Sequence, residues 1–213
     1  MRPSLSSCAA RTPTHPTSRT KGADLRRIVI TGGPGAGKTT LIERLARAGY
    51  AHIPETGRAI IREQTETGGV CLPWSDRQAY ARLMFDTDMD KYDAAPREGR
   101  IAFYDRGLVD VIGYLRVEGM PVPEKYDLAA RQRRYHETVF LAPFWPDIYG
   151  IDAQRRQSPQ VAESTCKIMR ETYRKYGYDI VDLPLADVES RLRFIESALA
   201  LAPPSTQSGD PQP

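Results

Sequence analysis

No stretch of the chain approaches the ~20 consecutive apolar residues that a membrane-spanning helix requires. The N-terminus likewise lacks the apolar core of a secretory signal. Cysteine is scarce. Cys8, Cys71 and Cys166 are odd in number and far apart, so neither a disulfide framework nor a CxxC metal site is expected. Free thiols fit a reducing compartment, and the expected location is cytoplasmic. The three histidines, His15, His52 and His136, are equally scattered and suggest no ligand set. Charge of one sign is lacking too. The formal net charge over 213 residues is +3, and no basic tract interrupts the central region, so nucleic acid is not an expected partner.

What is present is ordinary globular composition, 40% hydrophobic and 27% charged, at a length suited to one domain. Residues 1–24 have no acid before Asp24 and are rich in Ser, Thr, Pro and Arg. They read as a disordered tail, although the same composition fits an organelle transit segment. Residues 203–213 also read as a tail. Between them, in a domain expected over residues 25–202, short apolar runs alternate with helical spacing. Strands are expected at Ile28–Ile30, Tyr50–Ile53, Ile101–Tyr104, Thr138–Leu141 and Asp179–Leu183. Helices are expected at Thr39–Ala48, Thr56–Thr65, Asp76–Ala95, Val109–Glu118, Glu124–Tyr135, Pro159–Tyr176 and Val188–Ala200. That alternation predicts an α/β three-layer domain with a mostly parallel five-stranded sheet and ligands beyond the strands' carboxyl ends.

Gly32-Gly33-Pro34-Gly35-Ala36-Gly37-Lys38-Thr39 matches the phosphate-binding pattern G-x-x-x-x-G-K-[ST] between a strand and a helix. Its backbone N–H groups, with Thr40 opening the helix, would cradle the phosphates of ATP or GTP. Lys38 would reach the β- and γ-phosphates, and the Thr39 hydroxyl would bind Mg²⁺. Tyr104-Asp105-Arg106-Gly107 ends the third strand, where Asp105 would hold the metal or, alternatively, cap the next helix. Arg106 stands where ring ATPases usually carry Glu; acid followed by Arg is common at this place in nucleoside and nucleotide kinases. Glu55, after the second strand, is the candidate base for an attacking hydroxyl, with Arg58 near it to bind substrate or phosphate. An acid in the first turn of any helix is the plainer reading. Asp152-Ala153-Gln154-Arg155-Arg156 lies where small kinases carry a lid, and Arg155 and Arg156 would spread charge on the transferring group or, alternatively, stand solvated on a surface helix. Trp74, Phe144 and Trp145 sit in proline-flanked loops, where they either stack on a ligand ring or plug the core edge. The tyrosines of Tyr173–Tyr178 are expected to pack the last helix onto the last strand, with Gly177 as a helix C-cap.

Taken together, Ile30–Leu41, Pro54–Arg58 running into Ile60–Gln64, Tyr104–Gly107, Val139–Pro146, Asp152–Arg156 and Tyr173–Leu183 resemble a known family. It is the small AAA-type P-loop ATPase/kinase family related to the nicotinamide riboside kinase domain of the bacterial regulator NadR. The likeness runs over residues 27–200. It implies a kinase-like P-loop fold, binding of ATP or GTP, and a small-molecule phosphoryl acceptor whose identity it does not fix. The expected activity is a Mg²⁺-dependent small-molecule kinase or ATPase. A regulatory ATPase/GTPase switch with slow hydrolysis and a protein partner is the alternative. Oligomeric state stays open.

Overall fold

The computed structural model describes residues 25–95, 101–149 and 158–201. Both expected tails, Cys8, His15 and the Asp152–Arg156 segment lie outside the described residues. Five strands form one sheet: β1 (Arg26–Gly32), β2 (Ala51–Ile53), β3 (Ile101–Asp105), β4 (Thr138–Ala142) and β5 (Asp179–Asp182). Their order is β2-β3-β1-β4-β5, and every pairing is parallel. The helices are α1 (Lys38–Arg47), α2 (Thr56–Thr67), α3 (Arg77–Ala94), α4 (Leu108–Val117), α5 (Glu124–Gln132), α6 (Pro159–Lys175) and α7 (Val188–Ala198), with a 3-10 turn at Pro146–Ile148.

The central strands are apolar on both sides because both sides are covered. Successive residues point to opposite faces, so Val29, Tyr104 and Val139 join a core under α3, α4 and α5, while Ile28, Ile30, Phe103 and Phe140 join a second core with residues of α1 and α7. β1 lies between β3 and β4, and the chain leaves it in one direction first and the other later. That reversal opens a crevice at the carboxyl end of β1.

Element types follow the sequence, and two details depart from it. α5 stops at Gln132 rather than reaching Tyr135. Tyr135 is drawn into the core, where its hydroxyl accepts from the Leu108 N–H and its own N–H donates to the Tyr178 hydroxyl. Tyr173 serves α4 as well as the core, since its hydroxyl donates 2.6 Å to Asp110.

At the end of α6, Gly177 takes a left-handed φ of 74°. The Gly177 N–H donates to the Arg174 carbonyl and the Tyr178 N–H to the Tyr173 carbonyl, the two bonds of a Schellman stop. No neighbour lies within 4 Å of where a Cβ would project, so only the backbone conformation resists a side chain. Gly177→Ala is therefore expected to lower unfolding free energy by about 1 kcal/mol, the left-handed penalty for an L-residue. Urea denaturation measures it; an unchanged midpoint would mean that the turn tolerates alanine.

Candidate functional site

Glycine makes the phosphate loop possible where β1 runs out. Gly32 has φ 131°, and a Cβ on it would lie 2.2 Å from the Ala142 carbonyl oxygen of β4. Gly35 and Gly37 follow with φ near 75° and curl the backbone around a hollow. The helix that opens from this loop is left uncapped. α3, α6 and α7 each begin with a side chain that accepts from the first turn, supplied by Asp76, Ser158 and Asp187. α1 begins at Gly37 with no side-chain cap and no acid in its first turn. Its N–H groups are thus available to an anion. Thr39 and Thr40 are exposed at this mouth.

Lys38 is buried, and its ammonium donates 2.6 Å to the Gly33 carbonyl and 3.3 Å to that of Gly32. Burial and then the Arg106 charge bring its pKa down to about 8, against the pull of Asp105, Glu55 and Asp110. Asp105 ends β3 at 5% exposure. It does not cap α4: the N-cap is Gly107, whose N–H donates to Asp110. Burial and the neighbouring Glu55 charge push the Asp105 carboxyl up to about 6, although Lys38 and Arg106 oppose them. Its Oδ1 is buried without a hydrogen-bond partner among the described residues, a costly state unless a further group binds it.

Arg106 gathers the remaining charges. It has a left-handed φ of 74°, rare for a non-glycine residue. Its guanidinium donates 3.1 Å to Glu55, 3.0 Å to the Gly32 carbonyl and 3.2 Å to Asp110. Glu55 stands at the N-cap of α2 but makes no cap bond; it turns to Arg106 and, at 3.3 Å, to Arg58. Burial alone would raise the Glu55 carboxyl, but Arg106, Lys38 and Arg58 outweigh it and hold it below the usual carboxylate range. Glu55 is therefore ionised at neutral pH.

Two residues that local patterns did not single out support this centre. Asp110, inside the apolar run Leu108-Val109-Asp110-Val111-Ile112, accepts from Thr31 (2.5 Å), Tyr173, the Gly107 N–H and Arg106. An acid in an otherwise apolar helix was its signal. Arg191 of α7, 2% exposed, donates 2.7 Å to the Ala36 carbonyl of the loop and 2.9 Å to that of Pro184. It stacks on Trp145, 4.8 Å from the ring centre; nothing near it in sequence marks it out.

A cavity of about 330 Å³ runs from the loop between α2, α3, α4 and α6. Pro34, Glu55 and Arg106 lie at its loop end, and Trp74, 54% exposed, stands farther along the wall. Phe144 instead pairs edge-on with Tyr149. Asp88 of α3 also lines the cavity and accepts a short hydrogen bond from Thr56. Burial pushes its carboxyl up to about 6, more than the Thr56 bond and Lys91 lower it. A carboxyl raised above its unfolded value binds more protons folded than unfolded, so its charge costs stability increasingly as pH rises from about 4 to 6 and constantly above. Asp88→Asn is expected to raise the melting temperature at pH 7–8, with the gain vanishing near pH 4. Thermal scans across that range decide it, and a pH-independent difference would contradict the burial of this charge.

The sequence profile described as the AAA domain matches residues 27–191. Comparison with curated proteins returns no match. Among solved structures, the chain is similar to deoxyadenosine kinase from M. mycoides, at 18% identity and TM-score 0.59, over 82% of this chain and 98% of that one. It is similar to thymidylate kinase from Candida albicans at 14% identity and TM-score 0.60, over 83% and 92%. It also resembles the NadR protein in complex with NR at 17% identity and TM-score 0.59, over 83% of this chain and 50% of that one. The present chain thus spans half of NadR's length. At these identities the structures share a fold, and the profile match over most of the sequence supplies the kinship. The chain belongs to the AAA domain family, in the kinase-like P-loop fold it has in common with NadR and these nucleoside and nucleotide kinases.

Proposed function

We propose that the protein is a Mg²⁺-dependent kinase that transfers the γ-phosphate of ATP, or of GTP, to a hydroxyl of a small molecule. The observation that carries this reading is the ionised Glu55 in the wall of a cavity that opens on the phosphate loop. A switch that only hydrolyses its nucleotide needs a water beside the γ-phosphate. A 330 Å³ space with a carboxylate at its loop end suits a bound acceptor. The residue after Asp105 is Arg106, not the Glu that activates water in ring motors.

The loop N–H groups and the open start of α1 would bind the phosphates, and Lys38 would leave the Gly32 and Gly33 carbonyls to meet them. Thr39 and Asp105 suit Mg²⁺: an exposed hydroxyl and a buried, unpartnered carboxylate oxygen are hard donors, and Mg²⁺ ordinarily takes only one or two protein ligands beside substrate phosphates. When bound, the metal would neutralise charge on the phosphates. Glu55 would orient the acceptor hydroxyl and take its proton. A low pKa does not prevent this, because phosphoryl transfer is loose and relies on positioning more than on a strong base. Arg106 would hold Glu55 in place and add positive charge at the transfer site. Arg155 and Arg156 are proposed to close over the phosphates.

Glu55→Gln retains size and hydrogen bonding but cannot take a proton. It is expected to leave nucleotide affinity nearly unchanged and to cut acceptor-dependent turnover by ~10²–10⁴. ADP release with and without a panel of hydroxyl acceptors measures this. If no acceptor raises ADP release above the basal rate, the switch reading replaces the kinase; if stimulation survives Glu55→Gln intact, another group is the base.

A further inference from the structure

Charge in the cavity limits what enters it. Among the described residues three arginines line the cavity, and each is already closed by a carboxylate. Arg58 pairs with Glu55 at 3.3 Å, Arg77 with Glu118 at 3.2 Å, and Arg106 with both Glu55 and Asp110. A phosphate or carboxylate on the acceptor would have to break one of these pairs to find a cation. Asp88 stands differently. It accepts from the Thr56 hydroxyl and has no ion-pair partner within 4 Å among the described residues. Lys91, one turn along α3, spends its ammonium on the Pro54 carbonyl and the Thr56 hydroxyl, both at 2.8 Å. Among the described residues the cavity wall therefore presents one carboxylate outside any ion pair, with Lys91 acting on it from beyond Thr56, and no arginine that is unpaired.

Another polar wall group points the same way. The Tyr114 hydroxyl is buried without a hydrogen-bond partner among the described residues, while its ring meets Tyr80 edge-on at 5.5 Å. The apolar walls, Ile61, Met84, Val111 and Met169, with the exposed ring of Trp74, suit a flat ring body. A polar group held unpaired at a cavity wall is a cost that a ligand can remove.

We infer that the acceptor is an uncharged or cationic ring compound carrying hydroxyl or amino donors, and that Asp88 is a specificity-determining residue that accepts from those donors and repels anionic acceptors. This deepens the kinase reading and rests on it for the transfer step. A phosphate monoester would set two further negative charges against Asp88 and Glu55 in a cavity whose described arginines are all paired, and like charges so placed are rejected. The cavity thus favours hydroxyl compounds that are not yet phosphorylated over nucleotides.

Two readouts on the full chain separate the inference from the reading beneath it. The first is acceptor-dependent ADP release with Mg²⁺ and ATP, using adenosine and cytidine as uncharged probes, glucosamine as a cation, and AMP, CMP and gluconate as anions. The second is tryptophan fluorescence with a non-transferable ATP analogue and the same compounds, with Trp74→Phe as control. Uncharged or cationic probes are expected to stimulate ADP release and anions are not. Asp88→Asn is expected to lower the preference for uncharged over anionic probes by ~10-fold or more, chiefly through KM. A purely structural Asp88 would leave that ratio alone. If an anion gives the highest kcat/KM, if the ratio is unchanged in Asp88→Asn, or if the fluorescence shift persists in Trp74→Phe, the inference is overturned. If uncharged or cationic probes shift Trp74 but none releases ADP, the cavity inference stands and the kinase reading falls. If no probe gives either signal, both fall.

Discussion

The part-buried guanidinium of Arg106 is the contact on which the working end of the sheet depends. It ties Glu55 from the start of α2, the Gly32 carbonyl from the end of β1 and Asp110 from α4. Its own backbone N–H extends the β1–β3 pairing by donating to the Ile30 carbonyl. A non-glycine residue at φ 74° persists only where its surroundings over-determine it. Here two carboxylates and a carbonyl do so. Removing Arg106 itself would leave the buried Asp110 without an ion pair, a loss larger than the net worth of an intact pair.

Asp110 extends the same logic inward. Its four hydrogen bonds reach β1 through Thr31, α6 through Tyr173, the start of its own helix through Gly107, and the site through Arg106. The position of the phosphate loop is thereby coupled to the packing of α4 against α6. From the other face Arg191 holds the Ala36 carbonyl. The loop is clamped by a side chain from each layer, while groups beside it stay unsatisfied among the described residues. α1 lacks a cap, Asp105 has an unpartnered oxygen, and burial disfavours the charges of Lys38 and Asp105. Phosphates and a cation entering together would relieve each of these at once.

The sequence disclosed what local chemistry can carry. The phosphate loop is contiguous, and the strands are apolar runs between helical spacings, so both were legible, as was the five-stranded sheet. The residues that face each other across the crevice were legible only in part. Glu55, Asp105 and Arg106 announced themselves by standing at strand ends. Their ion pairing did not, because it joins positions 51 residues apart. Asp110 left a trace as an acid among apolar neighbours. Asp88 and Arg191 left none: each looks like one more charge on an amphipathic helix, and only tertiary packing turns it toward the cavity or the loop. The aromatic loops divided by surroundings that no local pattern encodes, with Trp74 at the cavity and Trp145 on Arg191.

The central claim is that the geometry of the Arg106 fork, beyond its charge, organises the site. Arg106→Lys retains the positive charge and the same backbone demands but cannot reach Glu55, Gly32 and Asp110 together. Steady-state kinetics of acceptor-dependent phosphoryl transfer, alongside nucleotide affinity and melting temperature, test it most directly. The account predicts a folded protein that binds Mg²⁺ and nucleotide but turns over at least ~10²-fold more slowly, as positioning losses of this kind do. A lysine variant with the turnover of the native protein would contradict it.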